Sequence, residues 1–343
     1  MNITRNWVYA LKGKRSIRAR QPAQQNGQTF GVFHYQKGGF YESVLCCMSA
    51  SSGVERWQFT VSHILNTPAV DEEGNVYLSC FNGRIYCLDS ASGQVHWQTP
   101  TTGKNVNVPV PDHRGRLVVP DLGSQMSQIR CFDTASGRLL WQTPTGGHTY
   151  APTISDGYVV YGTGMGKGGG GVLSCVSVEN GAILWQIPSE HYLFHPVIQG
   201  GVIYIGSRGE LRAYNLQEGR LLATLSLPKD IPINAHLLLH NHTLYFGDTD
   251  GLCYAVQITT SPSVQFHSYW QYQTADEVAA QPVTIQDTVA FLSKDGIIHF
   301  VEAQTGTLVK QVKLKTKNDI GGMYYHNDRL YVAHGRELLC YDV

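Results

Sequence analysis

Charged residues are scarce in this chain, and neither sign is in excess. Asp, Glu, Lys and Arg make up 15% of the 343 residues, against about a quarter in typical globular proteins. Basic and acidic residues number 26 each, so the formal net charge is zero. A neutral chain has no overall attraction to nucleic acid or to anionic membranes. Because 42% of its residues are hydrophobic, it can build a core and is not predicted to be disordered. We therefore expect a folded protein with no nucleic-acid partner.

Long apolar runs are also missing. No stretch approaches the roughly 18 to 20 consecutive apolar residues that span a bilayer, so we expect no membrane insertion. The first 20 residues lack the continuous apolar segment of a secretory signal; they are basic and poor in acids, which is faintly typical of a mitochondrial presequence. The repeat described below requires these residues in the folded protein, which favours a cytoplasmic location.

A repeat dominates what the sequence does contain. Residues 87–97, 131–141 and 175–185 align without gaps, and each copy begins with Cys and ends with Gly-x-x-x-Trp. Turn pairs such as Asn82-Gly83 and Asp250-Gly251 separate short runs of β-formers, as tight hairpins require. Four strands in about 40 residues are typical of a β-propeller blade. The anchor positions of successive copies are Trp7, Trp57, Trp97, Trp141, Trp185, Ala223, Trp270 and Lys310.

The two ends of the chain together make one further repeat. After Lys310 the sequence supplies three strands and no fourth, whereas Trp7 is an anchor with no strands before it. Joining the ends restores a spacing of about 40 residues. The predicted fold is therefore all-β, a single eight-bladed propeller of four-stranded antiparallel blades over residues 1–343. The amino-terminal strand completes the last blade and so removes the open sheet edges.

The string Cys/Ala-x-Asp-x-x-x-Gly-x-x-x-Trp resembles the tryptophan-docking motif of the PQQ-like propellers, the superfamily of quinoprotein dehydrogenases and BamB-like proteins. The resemblance implies that each Trp packs over the motif Gly of a neighbouring blade. It also implies that the recurrent Cys, in a slot usually taken by Ala, is a small buried strand residue. Free thiols fit a reducing compartment. No cofactor is predicted, and PQQ is not expected, because we cannot place the Asp base and the calcium-binding side chains of the quinoprotein dehydrogenases in this sequence.

Candidate chemistry lies in the loops that join the last strand of one blade to the first strand of the next, because these loops surround the central funnel where propellers bind small ligands. His195 and His236 occupy matching slots in adjacent blades. Two imidazoles at corresponding points, with Tyr150, Tyr192 and Asn234 nearby, predict a metal site or an acid–base pair near neutral pH. The alternative is that these histidines have no specific role and are simply accommodated at partly solvent-exposed positions.

The same loops contain twice as many basic as acidic residues, and the excess is concentrated in loops 11–21 and 312–322 beside the closing blade. This pattern predicts docking of an anionic ligand or of an acidic protein surface, although Lys and Arg are also common in solvated loops. The candidate ligand- or partner-binding residues are Arg15, Arg18, Arg20, Lys104, Lys315, Lys317, His63, His148 and Asn234.

On these grounds the sequence predicts a binding or scaffold protein, a monomeric propeller that presents its funnel-side loops to a protein or to an anionic small molecule. The alternative is an enzyme, or a small-molecule or metal-binding protein, that uses the histidine-rich funnel. No set of side chains stands out as catalytic machinery, and this favours the binding protein over the enzyme.

Overall fold

The computed structural model describes residues 1–11, 16–102, 105–122, 127–164, 169–233, 236–315 and 320–343. These residues form strands, turns and loops, and no helix in this part of the chain is long and apolar enough to span a membrane. The chain divides into two compact units, residues 1–144 with 318–343 and residues 145–317. Eight antiparallel sheets, each with four principal strands, make up the two units. The predicted all-β class and the eight blades are confirmed.

The strands are short and follow one another at close intervals. Antiparallel pairing between consecutive strands is the rule in every blade. In chain order the strands are β1 (Thr4–Ala10), β2 (Ser16–Ala19), β3 (Ala23–Gln25), β4 (Gln28–Lys37), β5 (Phe40–Ser49), β6 (Glu55–Ser62), β7 (Ala69–Val70), β8 (Asn75–Cys80), β9 (Arg84–Asp89), β10 (Val95–Pro100), β11 (Asn105–Val106), β12 (Val110–Pro111), β13 (Arg116–Leu122), β14 (Ser127–Asp133), β15 (Leu139–Pro144), β16 (His148–Thr149), β17 (Thr153–Ser155), β18 (Tyr158–Gly164), β19 (Gly171–Ser177), β20 (Ile183–Ser189), β21 (Val197–Gln199), β22 (Val202–Gly206), β23 (Glu210–Asn215), β24 (Leu221–Ser226), β25 (Leu238–His240), β26 (Thr243–Gly247), β27 (Leu252–Thr259), β28 (Gln265–Gln273), β29 (Val283–Ile285), β30 (Thr288–Leu292), β31 (Ile297–Glu302), β32 (Leu308–Lys313), β33 (Ile320–His326), β34 (Arg329–His334) and β35 (Glu337–Asp342).

The first unit holds blade 1 (β2 to β6), blade 2 (β7 to β10), blade 3 (β11 to β15) and blade 8, in which β1 completes the sheet of β33, β34 and β35. Strand β1 pairs antiparallel with β35, with Trp7 opposite Cys340. The side-chain amide of Asn6 also donates to both carboxylate oxygens of Asp342, at 2.9 Å each. The predicted completion of the last blade by the amino-terminal strand is therefore confirmed.

The second unit holds blade 4 (β16 to β20), blade 5 (β21 to β24), blade 6 (β25 to β28) and blade 7 (β29 to β32). Its apolar cores lie between consecutive blades. Leu173 of blade 4 packs with Ile203 of blade 5, and Tyr245 of blade 6 packs with Phe291 of blade 7. Blade 5 has Ala223 in place of an anchor Trp, and its seam with blade 6 is filled by apolar side chains that include Phe266.

The docking motif makes the same contact from blade to blade. The indole Nε1 of Trp57 donates to the backbone oxygen of Ser90 at 3.0 Å. Its ring covers Gly93 so closely that a Cβ built there would lie 2.6 Å from the ring, and the φ of +73° at Gly93 also favours glycine. The docking role of the motif is thus confirmed. Equivalent contacts join Trp7 with Gly53, Trp97 with Gly137, Trp185 with Gly219, and Trp270 with Gly306.

Each recurrent cysteine is the cross-strand partner of the anchor tryptophan in its own blade. Cys87 is opposite Trp97 in its ladder, and Cys175 is opposite Trp185. All eight cysteines are buried and free, which confirms their interpretation as small buried strand residues. Burial raises the pKa of the Cys87 thiol to about 12, so this group is not a reactive thiolate at neutral pH.

Three connections expected to be loops contain short strands instead. Ser16–Ala19, His148–Thr149 and Asn105–Val106 form β2, β16 and β11, which pair with the second strands β4, β18 and β13 of their blades. In these blades the second strand is longer than the regular first strand, which is β3, β17 or β12. The additional strand pairs with backbone groups that would otherwise form an open edge.

Candidate functional site

The structure brings His195 and His236 together in the second unit. Each residue stands just before the first strand of its blade, β21 for His195 and β25 for His236. The two imidazole rings are stacked, with centroids 3.4 Å apart and planes inclined by 20°. The contact follows from the repeat, since residues at matching slots of adjacent blades are neighbours.

The histidine pair forms part of the wall of a small cavity of about 150 Å³. The Nδ1 atom of His195 lies 3.3 Å from the backbone oxygen of Ala151, and the ring of Tyr150 meets the His195 ring edge-on, with centroids 5.6 Å apart. The side chain of Gln281 donates to the backbone oxygen of Leu237 at 3.0 Å. Polar groups in the cavity wall therefore bond mostly to the backbone.

Two other residues predicted near this pair are Tyr192 and Asn234. The ring of Tyr192 lies against the backbone of Gly164, where a Cβ would come within 2.4 Å of it. Asn234 lies outside the described residues. Burial, and next the charge of Tyr192, raise the pKa of Tyr150, so its hydroxyl is a proton donor rather than a phenolate at neutral pH.

The stacked arrangement favours a neutral pair. Burial lowers the pKa of His236 to about 4. Burial, and next the charge of His236, lower the pKa of His195 well below its usual range. Both rings are therefore uncharged near pH 7, and acid–base chemistry at neutral pH is not supported. Imidazole lone pairs lie in the ring planes, so two nearly parallel rings do not direct them at one metal ion.

These shifts predict an acid-sensitive fold. Because the folded-state pKa of His236 is below its unfolded value of about 6.5, the unfolded chain takes up protons first as the pH falls. Stability is therefore full above about pH 6.5 and declines between about pH 6.5 and 4, with His236 alone contributing about 1–2 kcal/mol of the loss at about pH 5. Urea unfolding at about pH 7 and pH 5 measures the difference.

Two variants test whether the stacked histidines cause this loss of stability at acidic pH. His236→Phe keeps a flat ring in the stack but cannot titrate, so it should show a smaller loss of stability on acidification than the parent protein. His148→Gln, at an exposed position of β16, should behave like the parent. An unchanged pH dependence in His236→Phe would contradict the assignment to the stacked pair.

The structure describes only some of the predicted basic residues. Arg15, Lys104 and Lys317 lie outside the described residues. Arg18 is exposed and donates from Nη2 to the backbone oxygen of Ile320 at 3.1 Å. Lys315 is exposed on the second unit.

Several cations of the second unit are already paired. Lys229 lies 2.8 Å from a carboxylate oxygen of Asp250, and Lys294 lies 2.6 Å from one of Glu277. Asp250 and Lys294 belong to the turns between second and third strands, which a count restricted to the connecting loops leaves out. Lys229 and Glu277 are the loop members of these pairs, so the pairs neutralise one basic and one acidic loop residue and leave the charge excess of the loops unchanged.

In the first unit, Arg20 belongs to a network that the sequence did not reveal. Its Nε donates to Nε2 of His34 at 3.1 Å, and Nδ1 of His34 lies 2.7 Å from Oγ of Ser43. The Ser43 hydroxyl donates to the backbone oxygen of His63 at 2.8 Å. Two predicted residues, Arg20 and His63, are thus connected through two that were missed. Nothing in the sequence marked His34, because its pairing depends on the register of β2 with β4.

Blade 1 also has an extended hairpin. Its second and third strands, β4 and β5, contain ten residues each, whereas those described in the other blades contain five to eight. The turn at Gly38 and Gly39, both with positive φ, is followed by Phe40 and Tyr41, whose exposed fractions are 73% and 45%. The sequence signal was present: a Gly-Gly turn between alternating strands, followed by two aromatic residues.

Comparison with known proteins places this geometry in context. A family model described as outer membrane protein assembly factor BamB matches residues 41–264, well over half of the chain. No curated protein matches the sequence.

Solved structures share the fold at low sequence identity. BamB from Moraxella catarrhalis is 18% identical, with a TM-score of 0.74 over 100% of this chain and 98% of that one. The computationally designed Ika8 protein is 12% identical, with a TM-score of 0.76 over 97% and 98%. A quinohemoprotein alcohol dehydrogenase from Pseudomonas putida HK5 is 11% identical, with a TM-score of 0.74 over 99% and 76%. Likeness at this level of identity establishes the fold and leaves the activity open.

Proposed function

This chain belongs to the family described as outer membrane protein assembly factor BamB, and on that premise we propose that it is a protein-binding scaffold. It acts as a monomeric propeller that holds a partner on blade 1 and needs no cofactor. The location that we propose is the cytoplasm, because eight free buried thiols fit a reducing compartment.

The observation that carries the proposal is the extended hairpin of blade 1. Its last three residue pairs, from Tyr35–Glu42 to Lys37–Phe40, exceed the seven pairs described for the corresponding strands of blade 3. At about 3.4 Å per residue they span about 7 Å. The hairpin presents Phe40 at its tip, and an exposed large aromatic side chain on a rigid support is typical of the residues that dominate protein–protein interfaces.

The enzyme alternative has less support. Its best site is the cavity at His195 and His236, where both imidazoles are neutral at pH 7 and the volume is about 150 Å³. Pockets for small-molecule substrates usually measure about 300–1,000 Å³. A neutral, stacked pair in a small cavity fits a packing role better than catalysis.

Photo-crosslinking in the native cell tests the scaffold proposal. A photoreactive phenylalanine analogue at position 40 should give a crosslink to one discrete partner protein. Recovery of that partner should fall at least tenfold in Phe40→Ser, because truncation of an aromatic hot spot costs about 2 kcal/mol or more of binding free energy. The fold should be unaffected, since the Phe40 side chain is largely exposed.

Val54 is a matched control. Its side chain is 64% exposed, it belongs to the same unit, and it lies at the turn before β6. Val54→Ser should leave recovery of the partner unchanged, and a photoreactive residue at position 54 should not crosslink to it. Equal crosslinking at positions 40 and 54, or undiminished recovery in Phe40→Ser, would count against the hairpin as the docking element.

A further inference from the structure

We propose that Arg18 and Arg20 form a carboxylate-binding site at the base of the blade 1 hairpin, and that this site binds an acidic side chain of an extended protein segment that also contacts Tyr41, the exposed aromatic residue next to Phe40. The inference rests on the proposed scaffold function and adds the chemistry of the partner. The partner segment should combine one carboxylate with one apolar side chain.

The first observation is uncompensated charge. The described residues place no carboxylate within ion-pair distance of Arg18 or Arg20, although they supply one for Lys229 and for Lys294. Burial, and next the neighbouring charge of Arg18, lower the pKa of Arg20. Two guanidinium groups that repel each other, one of them partly buried, are stabilised when an anion binds between them.

The second observation is that Arg20 is held in position by a neutral histidine. A guanidinium has no acceptor, so the Nε of Arg20 must donate to Nε2 of His34, and Nδ1 of His34 must then carry the hydrogen and donate to Ser43. Burial, and next the charges of Arg20 and Arg18, lower the pKa of His34 to about 3. The imidazole therefore stays neutral at physiological pH and keeps its accepting nitrogen.

The network fixes the direction in which Arg20 can bind. Because Nε is used by His34, the two terminal nitrogens of Arg20 remain for a ligand. Ser43 is itself fixed, since its Oγ also accepts a hydrogen bond from the backbone nitrogen of Leu65 at 3.1 Å. The planar fork of a guanidinium matches the two oxygens of a carboxylate. His34 and Ser43 are thus positioning residues for Arg20.

The distance to Tyr41 defines the length of the ligand. Tyr41 and Ser43 are two positions apart on β5, so their side chains share one face of the hairpin. The pairs His34–Ser43 and Gln36–Tyr41 are therefore about 7 Å apart along the hairpin, a distance that an extended peptide covers in about two residues. We expect a partner segment in which a Glu or Asp and a Leu or Phe are about two positions apart.

Fluorescence anisotropy with labelled synthetic peptides tests this inference on the full chain. The probe is a short peptide with Glu and Leu at that spacing, and its control has Gln in place of Glu. The Glu peptide should bind, and the Gln peptide should bind about tenfold more weakly, as expected for loss of a charge-assisted hydrogen bond. Binding of the Glu peptide should weaken as salt is added.

Substitutions of the two arginines test where the peptide binds. Arg20→Gln and Arg18→Gln should each weaken binding of the Glu peptide about tenfold. Arg20→Lys should bind the peptide more tightly than Arg20→Gln but more weakly than the parent protein, because Lys lacks the planar fork. Arg220→Gln removes the same charge from an exposed arginine of the second unit and should have no effect. Arg18 is exposed, so the fold does not depend on that substitution.

Other outcomes would overturn the inference. It fails if the Glu peptide does not bind at millimolar concentration, if Arg18→Gln and Arg20→Gln bind it as the parent does, or if inorganic phosphate or vesicles containing phosphatidylserine displace it with higher affinity. Loss of the cellular crosslink in Phe40→Ser without any effect of Arg18→Gln and Arg20→Gln would leave the scaffold standing and remove the carboxylate site. Arginine-dependent peptide binding without a cellular crosslink would instead contradict the scaffold.

Discussion

A chain from which residues 1–10 have been deleted is expected to lose cooperative folding. The deletion removes β1, and with it the pairing of Trp7 with Cys340 and of Tyr9 with Leu338. Blade 8 would then end at β35, whose free edge is open to pairing with other chains. The expected result is an expanded, aggregating protein without a cooperative unfolding transition.

The size of the effect follows from what β1 buries. The Trp7 ring packs against Tyr331 with centroids 5.8 Å apart, and its indole nitrogen donates to the backbone oxygen of Ala50 at 3.1 Å. Tyr9 packs against Phe33 at 5.3 Å. Truncation of one such aromatic costs about 3–5 kcal/mol, so loss of both together with a strand ladder approaches the 5–15 kcal/mol by which typical proteins are stable.

Circular dichroism during urea unfolding, together with size-exclusion chromatography, measures the loss. Deletion of residues 1–3, which precede β1, is the matched control and should unfold like the full chain. Addition of a synthetic peptide of residues 1–11 should restore part of the cooperative transition. If the protein lacking residues 1–10 unfolded at the same urea concentration as the full chain, the role of β1 in completing blade 8 would be wrong.

The sequence predicted the architecture because each blade repeats the same physical solution. A Trp that packs over a Gly must recur at the blade period, so anchor positions such as Trp57 and Trp97 could be identified from the sequence alone. The pairing of β1 with β35 followed from the same period, since Trp7 had no strands before it. The match of His195 with His236 was visible for the same reason.

Features that depend on strand register and on side-chain direction could not be predicted in this way. The contact between Arg20 and His34 exists because Ser16–Ala19 form an additional strand beside β4, and a loop had been expected there. The neutral state of His236 at pH 7 depends on burial of its ring, which residue spacing does not reveal. Compensation of Lys229 by Asp250 involves two different connections, so a count within one class of loop misses it.

The substitution Gly93→Ala is expected to destabilise the first unit by about 2–5 kcal/mol, from overpacking and backbone strain together, more than a glycine substitution at an ordinary turn. A Cβ at this position would lie 2.6 Å from Cε3 of Trp57 and 2.7 Å from Cδ2. The ring is held in place, because its nitrogen bonds to the backbone oxygen of Ser90 and the ring packs near that of Phe30, with centroids 5.9 Å apart. The φ of +73° adds about 1–2 kcal/mol of backbone strain for any residue with a Cβ.

A double-mutant cycle with Trp57→Ala separates the steric clash from the strain. In the Trp57→Ala background, which itself loses about 3–5 kcal/mol, Gly93→Ala should cost only the strain of about 1–2 kcal/mol, so the two substitutions should be strongly non-additive. Gly27→Ala is the matched control, since φ is +71° there and nothing lies within 4 Å of a Cβ. Urea unfolding midpoints measure all four proteins and the control. Additive changes in the free energy of unfolding, or equal losses for Gly93→Ala and Gly27→Ala, would contradict this prediction. They would mean that Gly93 is required only by the backbone conformation of its turn and not by the contact with Trp57.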